Sequence, residues 1–231
     1  MSAEPPNPVP ASSEGDEQGW GREAGWVSST YFAEGLPYAL VNNVADAMFT
    51  IMGASLSAIG LTSLFHLPWN LKFLWGPLLD AYETKRAWLW VCEVVLGVLV
   101  LMLAFTSSSY TGLAIASGLF FVIAVASATH DIAVDGYYLE ALDDAGQSRY
   151  VGLRVAGHRV ATLLGFGGFL MLAGATSWSV AWVVAALGLF GLALGHARLL
   201  PRAEPRKKTA SSLGRMLLGR RALSGLSLIH I

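Results

Sequence analysis

Hydrophobic positions in this chain run on in long blocks instead of striping one helix face or alternating along a strand. Residues 88–105 hold a single acid, Glu93, and residues 178–194 hold no charged residue. About 20 consecutive apolar residues are what a helix needs to cross the hydrocarbon of a bilayer. A soluble core can hide one such block but not five or six. The pattern predicts six helices, at residues 26–50, 56–79, 87–105, 112–138, 150–173 and 178–199. The expected fold is therefore an all-α membrane protein with six transmembrane helices.

The charges between these segments set an orientation. The expected connections 51–55, 106–111 and 174–177 contain no Lys or Arg. The other side collects Arg22, Lys85, Arg86 and Arg149, then a dense group from Arg198 to Arg221. Basic loops stay in the cytoplasm, so both termini are expected there. Residues 1–25 are rich in Pro, Ser, Gly and Glu and lack the basic start and apolar centre of a secretory signal. They are expected to form a disordered cytoplasmic tail. Residues 26–199 form the bundle, and residues 200–231 a basic cytoplasmic linker. Within that linker, residues 213–226 mix Leu, Met and Arg. That mixture suits a surface helix on the anionic inner leaflet, and equally a solvated segment with topogenic charge.

Composition narrows the chemistry. The 231-residue chain is 54% hydrophobic and 13% charged, against about a quarter charged in soluble domains. A formal net charge of −1 and the lack of a basic stripe with aromatic platforms argue against nucleic-acid binding. Cys92 is the only cysteine and lies in an apolar block, so no disulfide framework or cysteine metal cluster is expected. There is no nucleophilic triad pattern and no Gly-rich nucleotide loop with its Lys, which argues against an enzyme and against ATP-driven transport. No cofactor and no metal site is expected.

Polar residues inside the spans carry the functional information, because charge in hydrocarbon is expensive. The third and sixth spans are nearly pure hydrocarbon and are expected to face lipid. The other four carry Glu34, Asp46, His66, Asn70, Lys72, His130, Asp131, Asp135, Arg154, His158 and Arg159. Only a cavity or a bundle interior accommodates these residues. The pattern repeats every three spans, as two three-helix inverted repeats would. Asp131 and Asp135 share one helix face, as do Arg154 and His158. Residues equally far from a hairpin loop lie at equal depth, which predicts the pairs Asp135–Arg154, Asp131–Arg159 and Glu34–Lys72. Such pairs either hold the bundle and its gate or handle substrate and protons directly. Embedded acids outnumber embedded bases, and an acid lacking a cation in low dielectric is a candidate proton carrier; Glu34 and Asp131 are preferred. Glu93 is instead expected to snorkel to the inner surface. Gly35-Leu36-Pro37 is expected to interrupt the first span and Pro68 the second, beside Trp69, Asn70 and Lys72. Trp69, Asn70 and His130 are candidate substrate contacts, and Gly152, Gly157, Gly165, Gly167 and Gly168 are read as packing positions.

The second span ends Gly76-Pro-Leu-Leu-Asp80-Ala-Tyr-Glu-Thr-Lys85-Arg86. This resembles the major facilitator signature between spans two and three. Gly76, Asp80 and Lys85 match it, while Ala81, Glu83 and Thr84 stand at its Arg, Gly and Arg positions. The resemblance implies a cytoplasmic gate built from Gly76, Asp80, Lys85 and Arg86. Three longer stretches are similar to the AmpG-type muropeptide permeases and the related acetyl-coenzyme A transporters. These are Glu34-Gly-Leu-Pro-Tyr-Ala-Leu40, Leu67-Pro-Trp-Asn-Leu-Lys-Phe-Leu-Trp-Gly-Pro-Leu-Leu-Asp80 and Ala128-Thr-His-Asp-Ile-Ala-Val-Asp-Gly136. His130 stands where those families usually have Gln. The resemblance covers about residues 26–200 and implies secondary, proton-driven uptake of a small-molecule or glycopeptide solute through the inner membrane. The compact chain favours the muropeptide branch over the acetyl-coenzyme A branch. Complete members have about twelve spans, so a C-terminal six-helix half is expected as partner, and residues 224–231 do not read as a natural end.

Two other classes compete. Asp131 and Asp135, one turn apart, suit a Mg²⁺-dependent membrane-embedded enzyme acting on diphosphates. A non-transporting sensor or assembly subunit fits the same spans. The ion-ladder reading is tested by charge reversal: Asp135→Arg and Arg154→Asp are each expected to abolish uptake, and the double variant to restore it measurably. Failure of the double variant to recover any activity counts against the pair.

Overall fold

The computed structural model describes residues 14–106 and 110–202, and the described residues are helical with short connections and no strand. Helix α1 (Glu14–Ala39) passes through a wide turn at Leu40–Val44 into α2 (Ala45–Ile51). Then come α3 (Leu56–Leu61), α4 (Leu67–Leu71) and α5 (Gly76–Ala81), joined by tight turns at Thr62–His66 and Lys72–Leu74. Four longer pieces complete the bundle: α6 (Lys85–Thr106), α7 (Tyr110–Ala141), α8 (Asp144–Leu163) and α10 (Trp178–Leu199). Between the last two, α8 continues through a second wide turn, Leu164–Gly168, into α9 (Phe169–Ala175).

Four helices are long and apolar enough to cross a membrane among the described residues: Lys85–Thr106, Leu113–Ala141, Asp144–Ala175 and Trp178–Leu199. They correspond to the expected third to sixth spans. The first expected span is a continuous helical run, but Glu34, Asn42, Asn43 and Asp46 lower its hydropathy. The second is split into short pieces. Pro68 and Pro77 each remove a backbone donor, and both stand in the first turn of a new helix, where that donor is not needed.

Two boundaries differ from expectation. Residues 14–25 are helical rather than a disordered tail, and Glu23 accepts a hydrogen bond from the Tyr150 hydroxyl at 3.0 Å. Residues 1–13 and 203–231, with most of the expected basic linker, lie outside the described residues, as do residues 107–109 of the expected connection 106–111. Pro37 does not break the first span. It sits inside α1, and the wide turn three residues later absorbs the misfit.

Two apolar cores stack along the bundle. One gathers Met48, Val100, Phe120, Phe169, Trp182 and Leu189. The other gathers Trp26, Leu89, Val134, Tyr137, Tyr150 and Leu200. Between them, at one level, lie Glu34 on α1, Glu93 on α6, His130 and Asp131 on α7, and His196 on α10. Large apolar residues on the outside are bare, among them Leu56, Phe105, Met171 and Leu199 at 77–88% exposure, as suits a surface solvated by lipid.

Helix α1 crosses α8 closely, running parallel. A Cβ on Gly35 would fall 2.7 Å from the His158 carbonyl oxygen, one on Gly157 2.6 Å from that of Ser28, and one on Gly165 2.9 Å from the Ala39 Cβ. Gly157, Ala161 and Gly165 thus form a small-residue stripe on which α1 lies backbone to backbone. The other expected packing glycines do not share this role. Gly152 and Gly167 have nothing within 4 Å, and Gly168 meets only Leu164. The third and sixth spans do not simply face lipid either. The helices α6 and α10 pack antiparallel along their length, with Gly97 against the Phe190 ring.

Gly157→Leu is expected to force α1 off α8 and destabilise the protein by about 1–3 kcal/mol, read as earlier thermal unfolding in detergent. Gly152→Ala is the control and should leave the midpoint nearly unchanged.

Candidate functional site

Of the polar side chains predicted from the sequence, Glu34, Arg154, His158 and Arg159 converge on the α1–α8 face. A cavity of about 470 Å³ opens there, lined by Tyr31, Glu34, Tyr38, Arg154, His158 and Arg159 among others. Helix spacing explains the lining: Tyr31, Glu34 and Tyr38 fall on one face of α1 at steps of three and four, as do Arg154 and His158 on α8.

The expected pair Asp135–Arg154 forms, with the guanidinium 2.8 Å from Asp135 Oδ1. The Tyr31 hydroxyl donates to the same oxygen at 2.8 Å. Arg154 also lies between two rings, 4.6 Å from the centroids of both Tyr31 and Tyr138. This clamp ties α1, α7 and α8 together.

The other two expected pairs are exchanged. Lys72 bonds Asp131 instead of Glu34. Glu34 faces His158, with 3.5 Å between Oε1 and Nδ1. Arg159 does not reach Asp131; it is exposed at the cavity wall. The cause is lateral. Depth counting treats α7 and α8 as packed along their length, but α1 packs along α8 and against α7, and α7 meets α8 through side chains near their shared loop, such as Arg154 with Asp135 and Tyr138. Asp131 therefore points to the broken second span, where Trp75 also donates to Thr129 at 3.2 Å.

Trp69 stands at the cavity margin, edge-on to Tyr38 with centroids 5.3 Å apart, and Tyr38 lies 5.5 Å from the His158 ring. Asn70 is exposed. His130 is not placed to meet a solute from the cavity. It is fully buried, with Nε2 3.3 Å from Glu93 Oε1. Glu93 does not snorkel: it is fully buried, and His196 Nδ1 lies 2.6 Å from the same oxygen. Sequence reading missed Tyr31, Tyr38 and His196. The tyrosines repeat on the Glu34 face and were legible by periodicity. His196 sits inside an apolar block near its basic end, and nothing local marks it.

The gate stretch is organised at the end of the bundle where α5, α6 and α10 meet. Asp80 holds Lys85 at 2.6 Å, and the Lys85 stem lies across Gly136, where a Cβ would come within 2.8 Å of it. Arg86 caps α10 through the carbonyls of Ala197 and Leu200. Tyr137 adds a bond to the Pro201 carbonyl at 2.8 Å. Glu83, at the signature's Gly position, has φ +58°, the left-handed conformation that favours glycine. Gly76 has open space around it.

No group of three His, Cys, Asp or Glu side chains is placed to hold a metal among the described residues. Asp131 and Asp135 each serve a separate cation, so they do not jointly face one site.

The structure thus places four membrane-length helices in one bundle and gathers Glu34, Arg154, His158 and Arg159 on one cavity. The BT1 family matches residues 32–213, and the chain belongs to that family. It is 32% identical to the anhydromuropeptide permease of Escherichia coli over 163 residues, 68% of this chain and 33% of that protein. It is 31% identical to an uncharacterized protein of Haemophilus influenzae over 163 residues, 68% of this chain and 38% of that protein. The chain thus spans about a third of the length of the curated relatives it matches. The Escherichia coli relative is a permease by name.

Removing Lys72 strands the Asp131 carboxylate, whose side chain is 10% exposed. Lys72→Met is expected to cost about 2 kcal/mol, less than a fully buried pair because Lys72 is a third exposed. Asp131→Asn in the same background should recover most of it, a double-mutant cycle read by thermal unfolding.

Proposed function

We propose that the chain is the N-terminal six-helix half of a major facilitator-type secondary transporter, and that it moves a polar solute of the anhydro-muropeptide kind, with protons, across the inner membrane. The observation that carries this reading is the α1–α8 cavity, in which Glu34, His158, Arg154 and Arg159 share one wall. Sugar rings suit the faces of Tyr31, Tyr38 and Trp69, and peptide carboxylates suit the two guanidinium groups. The C-terminal half supplies the facing wall.

The helix contacts support six spans in two inverted repeats. Spans one and four meet antiparallel, through Trp26–Tyr137 and Tyr31–Asp135. Spans three and six meet antiparallel, through α6 and α10. Span two rests on span four through Lys72–Asp131, as span five rests on span one through the glycine stripe. Exchanging the two repeats maps each of these contacts onto its mate. The basic residues Lys85, Arg86, Arg149 and Arg198 share one end of the bundle, which supports cytoplasmic termini.

Within this reading the residues divide. Glu34 carries the coupled proton, because its partner is an imidazole, which can itself be neutral, and not a fixed cation. Asp131–Lys72 and Asp135–Arg154 hold the helices in place, and the Asp80–Lys85–Arg86 group closes the cytoplasmic end.

The test is uptake of labelled anhydro-muropeptide into cells lacking their own permease, by this chain joined to its C-terminal half. Uptake is expected to collapse with a proton uncoupler. Glu34→Gln should reduce it at least tenfold while leaving solute exchange across equilibrated membranes. Uncoupler-insensitive uptake removes the proton. Uptake competed by acetyl-coenzyme A but not by unlabelled muropeptide reassigns the solute.

A further inference from the structure

The proposed transport cycle does not use Glu93, yet Glu93 is the most enclosed acid among the described residues. Its side chain is 0% exposed, His130 is likewise 0%, and His196 is 5%. Four helices meet here: Glu93 comes from α6, His130 from α7, His196 from α10 and Ser29 from α1. The titratable side chains acting on Glu93 are the two histidines. Among the charged residues on these helices, Asp131 is engaged by Lys72, Lys85 by Asp80 and Arg86 by the α10 carbonyls, and Arg198 is exposed.

Hydrogen-bond direction counts the protons. Glu93 Oε1 lies 2.6 Å from His196 Nδ1 and 3.3 Å from His130 Nε2. His196 Nε2 lies 3.0 Å from Ser29 Oγ, and Ser29 Oγ donates to the Trp26 carbonyl at 3.2 Å. A serine hydroxyl has one hydrogen. If that hydrogen goes to Trp26, the Ser29–His196 contact requires a hydrogen on Nε2. The 2.6 Å contact requires another between Nδ1 and the carboxylate. Together the acid and this imidazole then hold one proton more than a carboxylate beside a neutral histidine. The count also balances charge: without that proton the cluster is a net anion in a buried setting with no Lys or Arg on it, which is strongly unfavourable.

We propose that Glu93 and His196 share one exchangeable proton, with neutral His130 donating to the same carboxylate, and that this is a proton-binding site separate from the α1–α8 cavity. It goes beyond the transport reading and does not depend on it. Its position links protonation to the contact of α10 with α1, since release of the proton requires the Ser29 hydroxyl to turn from Trp26 to His196.

The test is imidazole ¹⁵N NMR of the whole chain in lipid nanodiscs, at a pH where the exposed His66 reads as neutral, with His196→Asn used to assign the signal. His196 is expected to show hydrogen on both ring nitrogens, or the intermediate shifts of a shared proton. Glu93→Gln should convert it to a neutral ring with one bare nitrogen. The wild-type spectrum decides the proposal by itself where the Glu93 variant does not fold. A neutral His196 with a bare nitrogen in the wild-type protein overturns the proposal.

Discussion

An ion pair that forms across helices inside hydrocarbon constrains everything around it. Asp131, Asp135 and Arg154 lie on helices long and apolar enough to cross a membrane, where an unpaired charge is costly, and Lys72 reaches Asp131 from the neighbouring turn Lys72–Leu74. Each pair therefore fixes which helices are neighbours and which faces they present. Asp135 is held by Arg154 and by the Tyr31 hydroxyl, so one carboxylate sets the mutual rotation of α7, α8 and α1. Asp131 fixes the broken second span on α7 through Lys72. The apolar cores then fill above and below this polar level.

Close backbone approach is the complementary constraint. Because α1 and α8 touch through Gly35, Gly157 and Gly165, they cannot pass with larger side chains at those positions. Both helices relax through a wide turn just beyond the contact, at Leu40–Val44 and Leu164–Gly168. The close crossing leaves the larger polar residues of both helices on the flank, where they line the cavity. Packing and site are thus two faces of the same helix pair.

The second span shows the opposite behaviour. Pro68 and Pro77 divide it into short pieces, and its apolar residues Leu71, Phe73, Leu74 and Leu78 are exposed. Its attachment to the bundle is polar and local, through Lys72–Asp131 and Trp75–Thr129. Few of its apolar side chains are buried, Phe65 and Leu79 among them.

Much was legible from the chain alone. Long apolar blocks require a bilayer because a soluble core has no room for so many of them. Charges within those blocks mark the interior because lipid does not solvate them. Asp135–Arg154 was predictable, since residues flanking one loop at equal distance share a depth. Depth, however, is one coordinate of three. It does not say that α1 lies along α8, so it mispaired Glu34, Lys72, Asp131 and Arg159. Nor could it reveal the Glu93–His130–His196 cluster, whose members are separated by tens to about a hundred residues along the chain and lie in blocks that look suited to lipid. The amino-acid sequence determined the solvent, the family and the set of polar residues that had to be satisfied. The tertiary structure alone decided which residue satisfies which, because that depends on the lateral order and rotation of helices, and those are set by side-chain and glycine contacts between distant segments.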